Sequence, residues 1–239
     1  MPQEDDPRDI QGEDLQTLVK RLLEDGRLTL VGDHPLAVDA ITRMRESGIS
    51  QVEYERSVKI VTDLLIYRAT ADLPLKDYRV PLKDGSSYQG RALDASLILV
   101  PIMRVGLPME EEAGRVLPAA SVGFVVAERD EQTGRARVTS CKLPILNRKK
   151  TFFMEQVVAT GDTVCKVLST AKGEYRADDI TLLCCIAAPQ GVSRILEEHP
   201  EVNIFLGHLD DTLDDDYFVY PGVSDASDRT FGIYHKPQH

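Results

Sequence analysis

The sequence predicts an α/β protein built on a twisted, mostly parallel sheet that is flanked by helices. The first observation is a set of five continuous apolar runs of strand length: residues 97–101, 122–127, 152–158, 180–186 and 202–206. The second is that helix-patterned stretches separate most of these runs: residues 107–116, 163–170 and 191–198. Strands without alternating polar residues are typical of parallel sheets that helices cover on both faces, so the alternation indicates the α/β class.

The residues ahead of the first apolar run predict helices. An acidic N-terminal extension, residues 1–30, leads into a short helix whose leucines have helical spacing: Leu15, Leu18, Leu22 and Leu23. A second helix is expected over residues 34–48, with Asp33 as a candidate N-cap. A third is expected over residues 51–67, where apolar residues fall on one side. These helices therefore come before the sheet in chain order.

Two segments predict antiparallel hairpins rather than further parallel strands. Residues 78–93 contain short apolar stretches on either side of a turn signal at residues 83–86. Residues 130–144 contain a turn signal at 132–134, followed by alternating small and apolar side chains. The second hairpin is expected to protrude from the sheet as an arm, and such arms commonly make subunit contacts or cover an active site.

Composition and charge exclude several classes of function. The chain has 239 residues and a formal net charge of −11, which argues against nucleic acid as a partner because nucleic-acid binders present a basic surface. No apolar run approaches the roughly 20 residues that cross a membrane, and the acidic N-terminus lacks the apolar core of a signal peptide. The expected location is the cytoplasm. The cysteines and histidines show no metal-ligand spacing.

The loop that follows the third apolar run predicts an anion site. The strand ends at Val158, residues 159–163 read Ala-Thr-Gly-Asp-Thr, and a helix begins at once. Small residues let backbone N–H groups approach an anion, and the helix N-terminus adds partial positive charge. The loop lacks the Gly-Lys-Ser/Thr ending of a nucleoside-triphosphate loop. Taken alone, the loop is more typical of an ordinary capped helix start.

Two arginines follow neighbouring apolar runs. Arg104 lies three positions after the end of the first run, and Arg129 lies two positions after the end of the second. In a doubly wound sheet, ligands bind outside the carboxyl ends of the strands, and guanidinium groups bind diphosphate with two parallel hydrogen bonds. The alternatives are a surface arginine at a helix start and an arginine paired with its acidic neighbours. The aromatic, turn-rich run at 217–232 favours a structured loop or a packed lid over a frayed tail.

From residue 34 to residue 232 the chain resembles the uracil phosphoribosyltransferase family. His-Pro-Leu at 34–36 and YRATADL at 67–73 resemble the family's HPL and YEATADL segments, and VPIMRVGL at 100–107 resembles its VPILRAGL. AAPQG at 187–191 resembles its AAPEG, and His-Pro follows at 199–200. PGVSDASDR at 221–229, with Phe-Gly at 231–232, resembles its PGLGDAGDR and FG ending. Ordered segments over about 200 residues make this resemblance far more specific than any one loop.

The resemblance implies both an activity and a fold. The activity is the transfer of ribose 5-phosphate from phosphoribosyl pyrophosphate (PRPP) to uracil, giving UMP and pyrophosphate, with Mg²⁺ as cofactor. The fold is a single type I phosphoribosyltransferase domain over residues 31–239. Its core covers about residues 95–207, and a hood is formed by the N-terminal helices (31–70) and the C-terminal segment (208–235).

The resemblance also assigns site residues. The catalytic residues would be Arg104, Arg129 and Asp225, with Asp225 reaching Mg²⁺ or its waters while PRPP itself holds the metal. The PRPP-binding residues would be Arg104, Arg129, Glu155, Gln156, Val157, Val158, Ala159, Thr160, Gly161, Asp162, Thr163 and Asp225. The uracil-binding residues would be Val219, Ser224, Asp225 and Ala226. Further implied partners are GTP as an effector and a second copy of the chain in a homodimer or homotetramer.

Several positions depart from the family pattern. Glu155 and Gln156 stand where the family has Asp-Pro, and Ser224 and Ser227 replace two glycines. If either glycine position requires a positive φ, serine there is strained. Two more departures are Glu128 in place of tyrosine and Arg68 in place of glutamate. These departures leave three alternative functions open. The protein could be a catalytically impaired PRPP-binding or assembly protein, or an enzyme that transfers the ribose phosphate to another nucleobase. The third alternative is an RNA-binding regulator, which the net charge opposes.

Overall fold

The computed structural model describes residues 13–129 and 135–232, with only the backbone described at Arg129. The helices are α1 (Leu15–Glu24), α2 (Pro35–Met44), α3 (Gln51–Ala69), α4 (Leu107–Val116), α5 (Asp162–Tyr175), α6 (Pro189–Glu198) and α7 (Ala226–Phe231). The strands are β1 (Leu28–Leu30), β2 (Leu75–Pro81), β3 (Ser87–Leu93), β4 (Leu97–Met103), β5 (Ser121–Val122), β6 (Phe124–Arg129), β7 (Ala136–Lys142), β8 (Lys150–Val158), β9 (Asp179–Ala187), β10 (Asn203–Leu209), β11 (Thr212–Leu213) and β12 (Val219–Tyr220).

The main sheet confirms the predicted fold class. Within the described residues its strand order is β1-β10-β9-β8-β4-β6-β7, and β5 also pairs with β4. All of these pairings are parallel except β6 with β7, which is antiparallel. Four of the five predicted apolar runs fall on β4, β8, β9 and β10, whereas the run at 122–127, predicted as one strand, is divided at Gly123 between β5 and β6. A strand covered on both faces needs apolar side chains at successive positions.

Helices cover both faces of the sheet, and each face has its own core. Helices α1, α5 and α6 pack on one face, and α2, α3 and α4 pack on the other. Adjacent residues of β8 supply both cores: Phe153 belongs to the first, and Phe152 and Met154 belong to the second. Each of these side chains is fully buried, which stabilises the fold by about 1.5–3 kcal/mol apiece relative to exposure.

The parallel pairing places the proposed functional segments at one edge. Strands β4, β6 and β8 end at Met103, Arg129 and Val158, and parallel strands present their carboxyl ends at the same edge of the sheet. Because β4 pairs directly with both β8 and β6, the loops that follow these strands are neighbours. The Arg104 loop, the end of β6 and the loop after β8 therefore lie at the same edge of the sheet.

The N-terminal region differs in two details from the prediction. Residues 28–30, expected in a loosely ordered extension, form strand β1, which pairs parallel with β10. A three-residue edge strand is too short to show a periodicity. Helix α2 has His34 rather than Asp33 as its N-cap, since His34 Nδ1 accepts a hydrogen bond from the Leu36 N–H at 3.2 Å. Helix α1 is present as predicted, and Asp14 caps it.

The two hairpins are described to different extents. Strands β2 and β3 pair antiparallel around the turn at residues 83–86, which confirms the first hairpin. Strand β7 returns antiparallel along β6, as expected for the arm. The predicted turn at 132–134 lies outside the described residues, as do residues 1–12 and 233–239. Among the described residues, none of the helices is long and apolar enough to cross a membrane.

Candidate active site

The Arg104 loop connects the end of β4 to the start of α4. Gly106 allows this loop to lie against β8, because a Cβ there would be 2.6 Å from the Met154 carbonyl oxygen. The peptide bond before Arg104 is cis. The Arg104 side chain is exposed and turns towards helix α7, where its Nη2 donates to Ser227 Oγ at 3.2 Å and its guanidinium carbon lies 5.3 Å from the centre of the Phe231 ring.

The phosphate loop, residues 159–163, connects β8 to α5. Gly161 is the N-cap of α5 and has φ +78°, a conformation that favours glycine. The loop also packs tightly on the start of α6, since a Cβ on Gly191 would lie 2.2 Å from the Ala159 carbonyl oxygen. A glycine N-cap has no side chain to accept from the N–H groups of the first turn. The sequence therefore builds a helix N-terminus that is open to an anion.

The two threonines of the phosphate loop differ in burial. Thr160 is buried, and its Oγ1 accepts from the Asp162 N–H at 3.4 Å, whereas Thr163 is partly exposed in the first turn of α5. Asp162 already has protein partners: one carboxylate oxygen accepts from Arg194 at 3.1 Å and the other from the Ala136 N–H at 2.6 Å. Asp162 thus ties the arm strand β7 to the loop, and Arg194 offsets its negative charge.

Glu155 and Gln156, the two departures in β8, are both buried. Burial raises the pKa of Glu155 to about 8, although the N–H groups of Gln156 and Val157 act in the opposite direction, so this carboxyl is largely protonated at neutral pH. The Gln156 side chain has all of its hydrogen-bond partners inside the protein. It donates to the Val105 carbonyl at 2.5 Å and accepts from the Tyr54 hydroxyl at 3.1 Å.

The proposed base-contacting residues lie in the C-terminal segment. Val219 is buried in β12, while Ser224 and Asp225 are exposed just before α7. Asp225 is the N-cap of this helix and accepts from the N–H groups of Ser227 at 2.7 Å and Asp228 at 3.0 Å. Ser224 has φ +59°, so the strain expected for serine at a glycine position is present here. Ser227 has no such strain, since it lies within α7.

A buried ion pair holds this segment to the sheet. Arg45, which caps the end of α2, contacts both carboxylate oxygens of Asp210 at 2.8 and 2.6 Å and donates to the Gly222 carbonyl at 2.9 Å. Asp210 in turn accepts from the Gly222 N–H at 2.7 Å. On the other side, Arg229 donates to the carbonyls of Met44 and Glu46. Sequence reasoning missed the contacts of Arg45 and Arg229 because each pairs residues more than a hundred positions apart.

The arginine of the second loop is placed only by its backbone. Arg129 ends β6 and pairs with Ala136 of β7, next to the Arg104 loop, as the sequence predicted. Its side chain lies outside the described atoms. Glu128, the departure beside it, is exposed.

One group of described residues has the composition of a metal site. Ligand atoms of Cys165, Glu198 and His199 lie within 4.8 Å of one another. Both ring nitrogens of His199 are already engaged, one 3.2 Å from Lys172 Nζ and the other 3.1 Å from the Cys165 carbonyl. Burial and the Lys172 ammonium lower the pKa of His199, and burial raises the pKa of the Cys165 thiol to about 12. Because both ring nitrogens of His199 are engaged and burial keeps the Cys165 thiol neutral, this group is poorly suited to a metal ion.

Comparison with known proteins identifies relatives over nearly the whole chain. The model of the family described as uracil phosphoribosyltransferase matches residues 31–233. The uracil phosphoribosyltransferase of Malacoplasma penetrans is 34% identical over 208 residues, which cover 86% of this chain and 99% of that protein. The uracil phosphoribosyltransferase of Bacillus cereus (strain B4264) is 35% identical over 203 residues, covering 84% and 97%.

The fold has a relative among solved structures as well. The AQ2163 protein from Aquifex aeolicus superposes with a TM-score of 0.80 at 30% sequence identity. The match covers 86% of this chain and 99% of that one.

Proposed function

Because the chain belongs to the uracil phosphoribosyltransferase family, we propose that it joins uracil to the ribose of PRPP, forming UMP and pyrophosphate in pyrimidine salvage. The observation that carries the proposal is the meeting of three segments at one edge of the sheet. They are the Arg104 loop, the phosphate loop and the segment before α7. Each supplies a different part of the recognition that this reaction needs.

PRPP would be held from both of its charged ends. The open N-terminus of α5, with the hydroxyls of Thr160 and Thr163, would bind the 5-phosphate. Arg104 and Arg129 would bind the pyrophosphate, since a guanidinium stays charged and matches two phosphate oxygens at once. The end of β8 would form the surface beneath PRPP, through Glu155, Gln156, Val157 and Val158. Gln156 would do so through its backbone, because its side chain has inward partners.

Uracil would bind against the segment before α7. Val219 and the main chain of residues 224–226 would contact the base, with backbone donors and acceptors reading its edge. Such a pocket discriminates by leaving its own buried polar groups unpaired when the wrong base enters.

The reaction would be a displacement at ribose C1. The bond from C1 to the pyrophosphate oxygen breaks, the bond from C1 to the uracil nitrogen forms, and the proton of that nitrogen is lost. Arg104 and Arg129 would stabilise the charge that develops on the departing pyrophosphate, and the protein would orient the two substrates. No covalent nucleophile is required.

Mg²⁺ is the proposed cofactor, and the described side chains fit a metal held mainly by the substrate. When bound, it neutralises charge on the pyrophosphate, whose oxygens and water satisfy its preference for oxygen ligands. Asp225, an exposed carboxylate, would reach the metal or its waters, whereas the buried Glu155, largely protonated, does not fit that role.

The remaining parts of the proposal concern partners and location. A homodimer or homotetramer is supported by exposed apolar side chains on the β2–β3 hairpin, such as Tyr78 and Tyr88. GTP as an effector and a cytoplasmic location rest on the family resemblance alone.

The proposed function is tested by a coupled assay of UMP formation from PRPP and a panel of bases, with PRPP binding followed in parallel by calorimetry. Turnover of uracil but not of cytosine or hypoxanthine is the expected result. PRPP binding without turnover of any base would support the catalytically impaired alternative, which the strained Ser224 favours. If the protein used a different base and not uracil, it would be a phosphoribosyltransferase for that other base.

A further inference from the structure

A buried glutamine joins three elements of the proposed site. Gln156 is fully buried in β8 and stands where the family pattern has proline, so the hydrogen bonds of its side chain are additions by this chain. Its amide contacts the Val105 carbonyl at 2.5 Å, the Tyr54 hydroxyl at 3.1 Å and the Thr230 hydroxyl at 3.2 Å. These partners belong to the Arg104 loop, helix α3 and helix α7.

The chemistry of the partners fixes the orientation of the amide. The Val105 carbonyl can only accept, so the Gln156 NH₂ group must face it. The Gln156 carbonyl then faces the two hydroxyls, and burial raises the pKa of Tyr54 so that its hydroxyl stays a donor. Thr230 has one hydroxyl proton to share between Gln156 Oε1 and the Ala226 carbonyl, 2.7 Å away.

The contacts form a closed circuit around Arg104. Val105 is its chain neighbour, and Gln156 links that residue to Thr230 of α7. Helix α7 also presents Ser227 and Phe231, the two side chains that contact the Arg104 guanidinium. A shift of α7 relative to the loop would therefore break bonds at both ends of the circuit. The same helix begins at the segment proposed to contact the base.

We propose that Gln156 is a positioning residue that fixes the Arg104 loop to helix α7, so that the pyrophosphate-binding arginine and the base-binding segment keep one relative position. This proposal rests on the proposed function for its consequence in catalysis. The physical coupling between loop and helix does not depend on it. If Gln156 only filled space in the core, it would fix neither the Arg104 loop nor α7. Its replacement by leucine would then lower the stability of the protein without a selective effect on ligand binding.

The first experiment separates the two ends of PRPP by calorimetry on the full chain. In Gln156→Leu, pyrophosphate binding should weaken at least fivefold, because Arg104 loses its fixed position, while ribose 5-phosphate binding should change less than twofold. Hydrogen exchange should show faster opening of α7 amides than in the wild type. Equal effects on the two ligands, or unchanged binding and exchange, would overturn the proposal.

Milder variants guard against a Gln156→Leu chain that fails to fold. Tyr54→Phe and Thr230→Val each remove one hydroxyl partner and should weaken pyrophosphate binding in the same selective way, by about two- to threefold. Thr62→Val is the matched control, since Thr62 is buried in α3 and its hydroxyl donates to the Val58 carbonyl of the same helix at 2.8 Å. A control that weakens pyrophosphate binding as much as Thr230→Val does would contradict the inference.

The pH dependence of Gln156→Glu provides a readout that packing alone would not change. A protonated glutamic acid can donate to Val105 as the amide does, whereas the carboxylate cannot. The charged or titratable neighbours include Glu155, which is adjacent, Cys184, whose thiol faces the Gln156 backbone carbonyl, and Tyr54. Around Tyr54 they include Arg229, Cys185 and Asp225, and all of these groups are also present in Gln156→Leu. The ratio of Gln156→Glu to Gln156→Leu turnover should therefore rise at least threefold from pH 8 to pH 6.

A constant ratio would refute the hydrogen-bonding role of Gln156. Failure of the proposed function is a separate result: wild type would then form no UMP, while the pyrophosphate, ribose 5-phosphate and hydrogen-exchange measurements would still test the coupling.

Discussion

The two serines that replace family glycines should respond in opposite ways when glycine is restored. Ser224 has φ +59°, and the left-handed conformation costs an L-residue about 1–2 kcal/mol. Glycine removes that cost but loses about 0.5–1 kcal/mol through the greater freedom of its unfolded chain. Ser224→Gly should therefore stabilise the protein by about 0.5–1 kcal/mol, which for a domain of this size raises Tm by about 1–4 °C.

Ser227→Gly should have the opposite sign. Ser227 lies in the first turn of α7, where glycine costs about 0.5–1 kcal/mol of helix stability, and its hydroxyl accepts from Arg104 at 3.2 Å. Losing that exposed bond frees the guanidinium. We expect Tm to fall by about 1–4 °C and turnover to fall as well. Ser227→Ala separates the two effects, because it removes the hydroxyl and keeps helix propensity.

Thermal unfolding and steady-state kinetics of the single and double variants measure both effects. Because main-chain groups are proposed to read the base, the double glycine variant should keep its KM for uracil within about tenfold of wild type and should still reject cytosine. A lower Tm for Ser224→Gly would refute the strain argument. If wild type ignored uracil and the double variant used it, the serines would mark a lost or redirected activity.

Three further perturbations address the phosphate loop, the arginine and the buried carboxyl. Thr160→Ala with Thr163→Ala removes two donors worth about 1.5–3 kcal/mol each and should weaken PRPP binding at least tenfold by calorimetry; unchanged binding would mean that the loop only caps α5. Arg104→Lys keeps the charge and loses the two-pronged contact, so kcat should fall clearly, and near wild-type turnover in Arg104→Ala would place the site elsewhere. The folded pKa of Glu155, about 8, lies above its unfolded value near 4.5, so its contribution to stability is complete below pH 4.5 and is lost as the pH rises through 8. The wild type should therefore lose about 1.4 kcal/mol of stability per pH unit between these two pKa values, and Glu155→Gln should not. Thermal unfolding from pH 5 to pH 8.5 measures the difference. Parallel pH profiles of stability for wild type and Glu155→Gln would contradict this prediction.

The strands of the sheet could be predicted because the burial of a strand is visible in its own short stretch of sequence. A strand covered on both faces must be apolar at successive positions, as residues 152–154 are, and the following loop must then lie at the carboxyl edge. Strand β1 was not predictable in the same way, since three residues show no periodicity and the pairing partner, β10, lies about 175 residues away along the chain.

The contacts that organise the candidate site were beyond prediction from the residues alone. Nothing near Asp162 in the sequence indicates Arg194, and nothing near Arg45 indicates Asp210. Such pairs are set by tertiary packing, whereas N-caps and turns are set by adjacent residues. A signal did exist for Gly191, because AAPQG at 187–191 resembles the family's AAPEG, and this glycine packs on the phosphate loop.

The effect of each departure from the family pattern therefore depends on the contacts that the replaced residue makes in the folded protein. In the sequence, Gln156 and Ser227 are independent changes that each weaken the expectation of catalysis. In the structure both belong to one circuit: Gln156 bonds the Arg104 loop and α7, and Ser227 bonds Arg104 itself. A chain that had lost its function would be expected to lose such contacts at its site, yet here two replaced residues supply them. Ser224 alone carries strain, so it is the departure whose reversal tests whether the base pocket was altered.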